Sequence, residues 1–176
     1  ATHIYGGALR ISHNTALGNA TGAVVVSSGG RLELADGLAI SGRAATVAGN
    51  GGNFAGAIQS LNGTNTWNGD ILVTEDGTRF GAAANSTLIL NGVIDDDTNS
   101  YSVGFRSLAT SGTVIISGAH TYGGKKTYVV IGTLQLAGGH NRLPIGTLLE
   151  VGASGVGAFD LNGFNQEVGG ITNSGG

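Results

Sequence analysis

Apolar and polar residues alternate along this chain in short bursts, and each burst stops at a turn. Leu32-Glu-Leu34, Leu134-Gln-Leu136 and Phe159-Asp-Leu161 show the period of two that sends one strand face inward. Six bursts end in glycine-containing turns, at Gly37, Gly63, Gly92, Gly118, Gly138 and Gly163. Leu9-Arg-Ile-Ser-His13 fits the same rhythm, and second short runs such as Ala23–Val26, Ile71–Val73, Tyr128–Ile131 and Leu148–Val151 fall between the turns. About seven units of roughly 25 residues, each with two or three strands, predict an all-β fold of the solenoid type, a parallel β-helix. A hairpin meander competes with this reading, because Asn-Gly is also a hairpin signal. A meander, however, turns every 8 to 12 residues or so, about twice as often as this chain does.

Stacked coils place equivalent residues above one another. Leu34, Leu61, Leu90, Ile116, Leu136 and Leu161 are therefore expected in one inward column. Asn62, Asn91 and Asn162, each followed by glycine (Gly63, Gly92, Gly163), are expected at one shared turn position, with Gly118 closing the corresponding turn after Ser117. Asn suits such a turn because it tolerates positive φ and can bond to the turn backbone or to an Asn on the next coil. Residues 61–78 also resemble 116–133, which pairs Trp67 with Tyr122 and reads as an offset of two coils. Residues 7–50 resemble 132–176, with Leu9 and Ile11 on Leu134 and Leu136. Residues 1–176 thus read as one solenoid module, a window on a longer tandem array.

Composition narrows the function classes. Gly supplies 34 of 176 residues and Pro only one, a bias toward tight turns and away from both collagen and Pro-rich linkers. A net charge of -3 with eight scattered basic residues offers no stripe for a phosphate backbone, so nucleic acid is not an expected partner. No apolar run reaches the ~18 residues of a membrane-spanning helix, so no membrane insertion of this segment is expected, and an export signal would lie outside it. The absence of cysteine removes disulfides, zinc thiolates and thiol nucleophiles, and is compatible with passage through an oxidising compartment.

The stretch Gly112-Thr-Val-Ile-Ile-Ser-Gly-Ala-His-Thr-Tyr-Gly-Gly124 is followed by Gly132-Thr-Leu-Gln-Leu136, Arg142-Leu-Pro-Ile-Gly146 and Phe159-Asp-Leu-Asn-Gly-Phe-Asn-Gln166. This series resembles the autotransporter-associated β-strand repeat. The likeness is specific over 112–166, near the C-terminal end, and weaker over 7–50 and 61–92. It departs from the family pattern at the shortened link Tyr5-Gly-Gly-Ala-Leu9 and at Lys125-Lys126, where small residues are usual. The resemblance implies a right-handed coil in the passenger of a type V secreted bacterial protein, extracellular or displayed on the cell surface. Its implied partners are an outer-membrane translocator barrel during export and flanking repeats of the same chain. The implied role is mechanical: an elongated stalk that folds coil on coil.

Candidate chemistry is sparse. Asp95-Asp96-Asp97 is the one acidic cluster and a weak metal candidate, since three adjacent carboxylates do not converge on a hard cation that needs six to eight oxygens or so. Glu33 and Asp160 fall at similar strand positions and read as repeat-related surface residues rather than an acid and base. His13 and His140 both precede Asn, and His120 aligns with Asn65, so the histidines read as turn residues. Trp67 and Tyr122 could stack sugars in a row, but they read better as rings packed against a turn. Lys125-Lys126 reads as a charge that discourages sheet-edge association. Thr64-Asn-Thr66 is too little for an ice-binding row. The expectation is a structural protein with no catalytic activity and no cofactor. The alternatives are a self-assembling fibre of end-to-end copies, or a carbohydrate-binding or carbohydrate-cleaving β-helix.

Overall fold

The computed structural model describes residues 1–18 and 22–173; the parts of the two long repeat spans at 19–21 and 174–176 lie outside the described residues. In chain order the strands are β1 (Thr2–Ile4), β2 (Gly7–Ile11), β3 (Val24–Val26), β4 (Gly30–Leu34), β5 (Ala39–Ile40), β6 (Ala45–Val47) and β7 (Ile58–Ser60). There follow β8 (Thr64–Trp67), β9 (Ile71–Val73), β10 (Thr78–Ala82), β11 (Thr87–Leu90), β12 (Ile94–Asp95) and β13 (Val103–Ser107). The series closes with β14 (Thr113–Ile116), β15 (Lys126–Val129), β16 (Gly132–Leu136), β17 (Leu148–Val151), β18 (Gly157–Asp160) and β19 (Gly170–Thr172).

These strands form three sheets, and the chain visits them in rotation. The first sheet runs β1-β3-β6-β9-β12, the second β2-β4-β7-β10-β13-β15-β17-β19 and the third β5-β8-β11-β14-β16-β18. Every pairing given by this register is parallel, from Thr2 with Val24 to Leu148 with Gly170. The meander is thereby excluded, and the fold is a β-solenoid of about seven turns. Eight strands in the second sheet make seven steps of about 4.8 Å, a rod about 34 Å long. Beyond β12 the first sheet has no further strand among the described residues, yet the amides of Thr121 and Tyr122 still donate to the Ile94 carbonyl, at 2.9 and 3.2 Å.

The core is a set of inward columns, built because alternate residues of each strand face the axis. In the second sheet Leu9, Leu32, Ile58, Phe80, Phe105, Val129 and Val151 lie one above another. The Phe80 and Phe105 rings sit 6.1 Å apart, tilted by 31°. In the third sheet Ile40, Trp67, Leu90, Ile116 and Leu136 form another column, all buried.

The single column expected from the sequence is therefore corrected. Leu34 is buried but belongs to the second sheet, aligned with Ile11 and Ser60. Leu61 is half-buried just past β7, and Leu161 is 42% exposed just past β18 on the last rung of the third sheet. Leu90, Ile116 and Leu136 do stack as expected, joined by Trp67 instead of Leu61. For Leu34 and Leu61 the cause is that an apolar burst ending in glycine closes strands at two different corners, whereas Leu161 continues the register of Leu136 and is exposed as part of the last rung. Gly37 and Gly63 lead from the second sheet into the third, while Gly92, Gly118, Gly138 and Gly163 follow the third. Alignment on glycine mixes the two.

The turn glycines also do different things, and not by corner: Gly138 and Gly163, which follow the third sheet, share the positive φ of Gly63. Gly63 has φ 64°, a left-handed turn that a Cβ disfavours. Gly92 is needed for space: a Cβ there would stand 2.0 Å from the Gly69 carbonyl oxygen on the rung before. The asparagines differ in their partners. Asn62 exchanges two bonds with Asp36, and Asn162, at φ 48°, donates to the Leu136 carbonyl. Asn91 donates to Asn68 and accepts from Ser117, within a polar ladder Ser41, Asn68, Asn91, Ser117.

The offset between the repeats at 61–78 and 116–133 does not coincide with the register. Two coils carry Trp67 over Leu90 and then onto Ile116, not onto Tyr122, the residue that the repeat aligns with it. Rungs also differ in length, the step from Ile40 to Trp67 being longer than that from Ile116 to Leu136. Leu9 and Leu134, aligned by the longer repeat, stand in the second and third sheets. Burial predicts the energetics. Leu90→Ala should cost about 2 to 5 kcal/mol, whereas Leu161→Ala should cost less than about 1 kcal/mol. Denaturant midpoints of the two variants measure this, and equal losses would show that Leu161 on the last rung is packed as fully as Leu90.

Candidate functional site

At the corners the strand ladder lapses, and backbone amides must find other acceptors or be buried at a cost of roughly 1 to 3 kcal/mol each. Polar side chains supply many of those acceptors, and Asn62, Asp96 and His120, singled out in the sequence, are among them. Asp70 accepts from the Val93 amide at 2.9 Å, Asp76 from Ser102 at 2.7 Å and Asn65 from Leu38 at 2.7 Å. Bonds from donors hold the carboxyl of Asp76 below the ordinary range, the Ser102 amide being the largest influence.

Asp95, Asp96 and Asp97 diverge. Asp96 is buried, and its Oδ2 accepts from the Tyr101 amide at 2.6 Å and the Gly123 amide at 2.8 Å, stapling its own loop to the next rung. Asp95 accepts from the Asp97 amide and the Thr121 hydroxyl, and that hydroxyl does most to lower its pKa. Asp97 is exposed. Among the described residues no group of three or more His, Cys, Asp or Glu is placed to hold a metal ion.

The histidines have separate tasks. His13 is exposed beside Thr15, while His140 Nδ1 accepts from the Asn165 amide at 2.9 Å. His120 is buried, its Nδ1 accepting from the Ile94 amide at 3.0 Å, its Nε2 without a partner and its ring tilted against Tyr122. Burial, with the Arg142 charge adding to it, pushes its pKa down to about 3. Its likeness to Asn65 was legible in the sequence as chemistry: each accepts an amide from the preceding rung.

Trp67 and Tyr122 are both buried, which removes them from any sugar-stacking surface. The Tyr122 hydroxyl lies 2.6 Å from Thr127 Oγ1, and burial raises its pKa. Glu33 and Asp160 do not share a position: Glu33 is buried in the second sheet and Asp160 is exposed in the third. Burial alone would raise the Glu33 pKa, but bonds from Arg31 and Arg10 overcome it and hold the carboxyl low. Lys126 sits within the second sheet, 2.6 Å from Glu150 on the next rung, and Lys125 lies 3.9 Å from Asp76.

One surface feature was missed in the sequence. On the outer face of the second sheet, Arg79 and Arg106 occupy adjacent rungs, and the loop after β6 lays Phe54 over them. The Arg79 guanidinium stands 5.6 Å from the Phe54 ring centre and 5.3 Å from that of Tyr128, and the Arg106 guanidinium 5.8 Å from Phe54. Glycines make this possible. A Cβ at Gly81 would meet the Ala55 carbonyl of the overlying loop at 1.8 Å, and one at Gly104 would meet the Tyr128 ring at 2.3 Å. Burial and then the neighbouring Arg79 charge lower the Arg106 pKa. Phe54, at φ 65°, carried no periodic signal; the glycines at 49, 51, 52 and 56 were the hint that a loop crosses a sheet there.

Comparison with known proteins adds no relative: no protein-family model, no curated protein and no solved structure matches the chain.

Removal of a buried acceptor should register as lost stability. Asp96→Ala orphans two amides and should cost about 2 to 4 kcal/mol, with Asp96→Asn, which keeps a carbonyl acceptor, costing less. Denaturation midpoints decide it, and no loss in the alanine variant would count against the staple. Because His120 binds its proton less readily when folded than at its ordinary 6.5, its contribution is intact above pH 6.5 and is lost as pH falls toward about 3. Stability should decline by up to about 1.4 kcal/mol per pH unit in that window on this account. His120→Asn should flatten the slope in thermal melts from pH 7 to about 4, and an unchanged slope would exclude His120 as its source.

Proposed function

We propose that this chain is a structural segment of a β-helical stalk in a secreted or cell-surface bacterial protein of the autotransporter kind. The observation that carries the reading is the stack of apolar side chains that runs from Leu9 to Val151 along the second sheet, the core an elongated stalk needs. The depression on the outer face of the first sheet has Asp70 and Asp95 at its margin, but both carboxylates are engaged in holding other groups. Support also comes from the ends. Ile171 is 74% exposed, Phe159 and Phe164 are only half-buried, and Leu9 is half-buried on the first rung. Apolar surface of this kind on a terminal rung is where another surface packs. The export route through an outer-membrane barrel rests on the sequence resemblance.

The same apolar surface favours a second reading, a fibre in which copies stack end to end. Two measurements separate the readings. Expression of the complete reading frame in its own bacterium, followed by protease shaving and antibody labelling of intact cells, should find the segment outside; retention in the cytosol would overturn the stalk. Light scattering across a hundredfold concentration range should find a constant mass for the stalk, and growth of the particle would select the fibre.

A further inference from the structure

We propose that the cluster of Arg79, Arg106, Phe54 and Tyr128 on the outer face of the second sheet is a binding site for an anionic polysaccharide. A sugar carboxylate or sulfate would lie between the two guanidiniums while the sugar ring packs on Phe54.

The argument begins with unpaired charge. Most cations on this face already have carboxylates: Arg10 and Arg31 share Glu33, and Lys126 holds Glu150. Arg79 and Arg106 have none among the described residues. The Arg79 Nε contact is to the Tyr128 hydroxyl at 3.4 Å, and the Arg106 Nε is buried without a hydrogen-bond partner. Asp76 lies on the Tyr128 side of the cluster but is committed to the Ser102 amide and to Lys125. Two like charges on neighbouring rungs repel, and among the described residues the flanking rings are what offsets them.

The geometry also suits the ligand class. Guanidiniums bind carboxylate and sulfate through paired donors, and a half-exposed aromatic ring offers a flat apolar surface to the C–H face of a sugar. Phe54 is 52% exposed. The Tyr128 ring is pinned by its hydroxyl, which donates to the Gly77 carbonyl at 2.8 Å, and Arg79 is held between that ring and Phe54, so a ligand anion meets the guanidinium at its edge, which has no carboxylate among the described residues. A nucleic acid fits less well, because two free cations on a chain of net charge -3 do not make a phosphate-binding stripe. The proposal concerns a lateral face and is independent of the export route.

Affinity electrophoresis through gels holding polygalacturonate or dextran sulfate tests it, with neutral dextran and single-stranded DNA as comparisons. The protein should be retarded by at least one of the two anionic glycans, and little by neutral dextran or DNA. Arg79→Gln with Arg106→Gln should weaken retention about tenfold or more, and Phe54→Ser, in the exposed loop, should weaken it with both arginines kept. Circular dichroism and the denaturation midpoint check folding; if the double arginine variant does not fold, the Phe54 variant and Arg106→Lys, which loses paired donors but keeps charge, carry the test. Absence of retention by either glycan, retention unchanged in folded variants, or equal retention by DNA or neutral dextran would each overturn the proposal.

Discussion

Parallel coils satisfy their backbone along the flat faces and leave it unsatisfied at the corners, and most of this structure answers that mismatch. Along the faces each strand bonds to the rung on either side, as Val103 does between Thr78 and Thr127. At the corners the chain changes direction and the ladder lapses. A buried amide without an acceptor costs about as much as a lost core contact. The remedy is a polar side chain from the adjacent rung, and Asn62, Asn65, Asp70, Asp76, Asp96, His120 and Gln166 all serve in this way. Asp96, from the acidic triplet, and the buried histidine are therefore parts of the scaffold.

The apolar columns depend on those corners. Side chains alternate with a period of two, so a slip of one residue at a corner would turn a whole strand inside out. The corner acceptors resist such slips because they pair a named amide with a named side chain. Within that constraint the columns tolerate variation: Trp67 stands between Ile40 and Leu90, and the rung from Ile40 to Trp67 takes more chain than the rung from Ile116 to Leu136. Added residues go into loops, of which the one carrying Phe54 folds back over an outer face. Its passage requires Gly81 beneath it, which ties a loop in one coil to a missing side chain in the next.

The solenoid class, its strand count per coil and its approximate period were legible because hydrophobic alternation and turn glycines are local signals, readable in short windows. The chemistry of single turn residues was legible for the same reason: Asn162 takes the positive φ expected of it, and His120 performs the task of an Asn. The sheet to which a burst belongs was not legible. Leu32-Glu-Leu34 and Leu88-Ile-Leu90 look alike, yet one precedes the second corner of its coil and the other the third. That difference placed Leu34 and Leu61 outside the column assigned to them, whereas Leu161 follows the third sheet and is exposed because it lies on the last rung.

What the sequence determined by itself is thus the kind of object: stacked short strands, turned by glycine and asparagine, with a core of aliphatic and aromatic alternation. Only the tertiary structure decided which residues meet. Stacking joins Ile116 to Leu136 in one coil and Ile40 to Trp67 in another, through loops of unequal length, so no constant offset in the sequence reproduces it. The same holds for the cationic face, where Phe54, Arg79, Arg106 and Tyr128 come from four successive rungs and share no motif. Their proximity follows from the rise of the coil, which converts about 25 residues of chain into about 4.8 Å of rod.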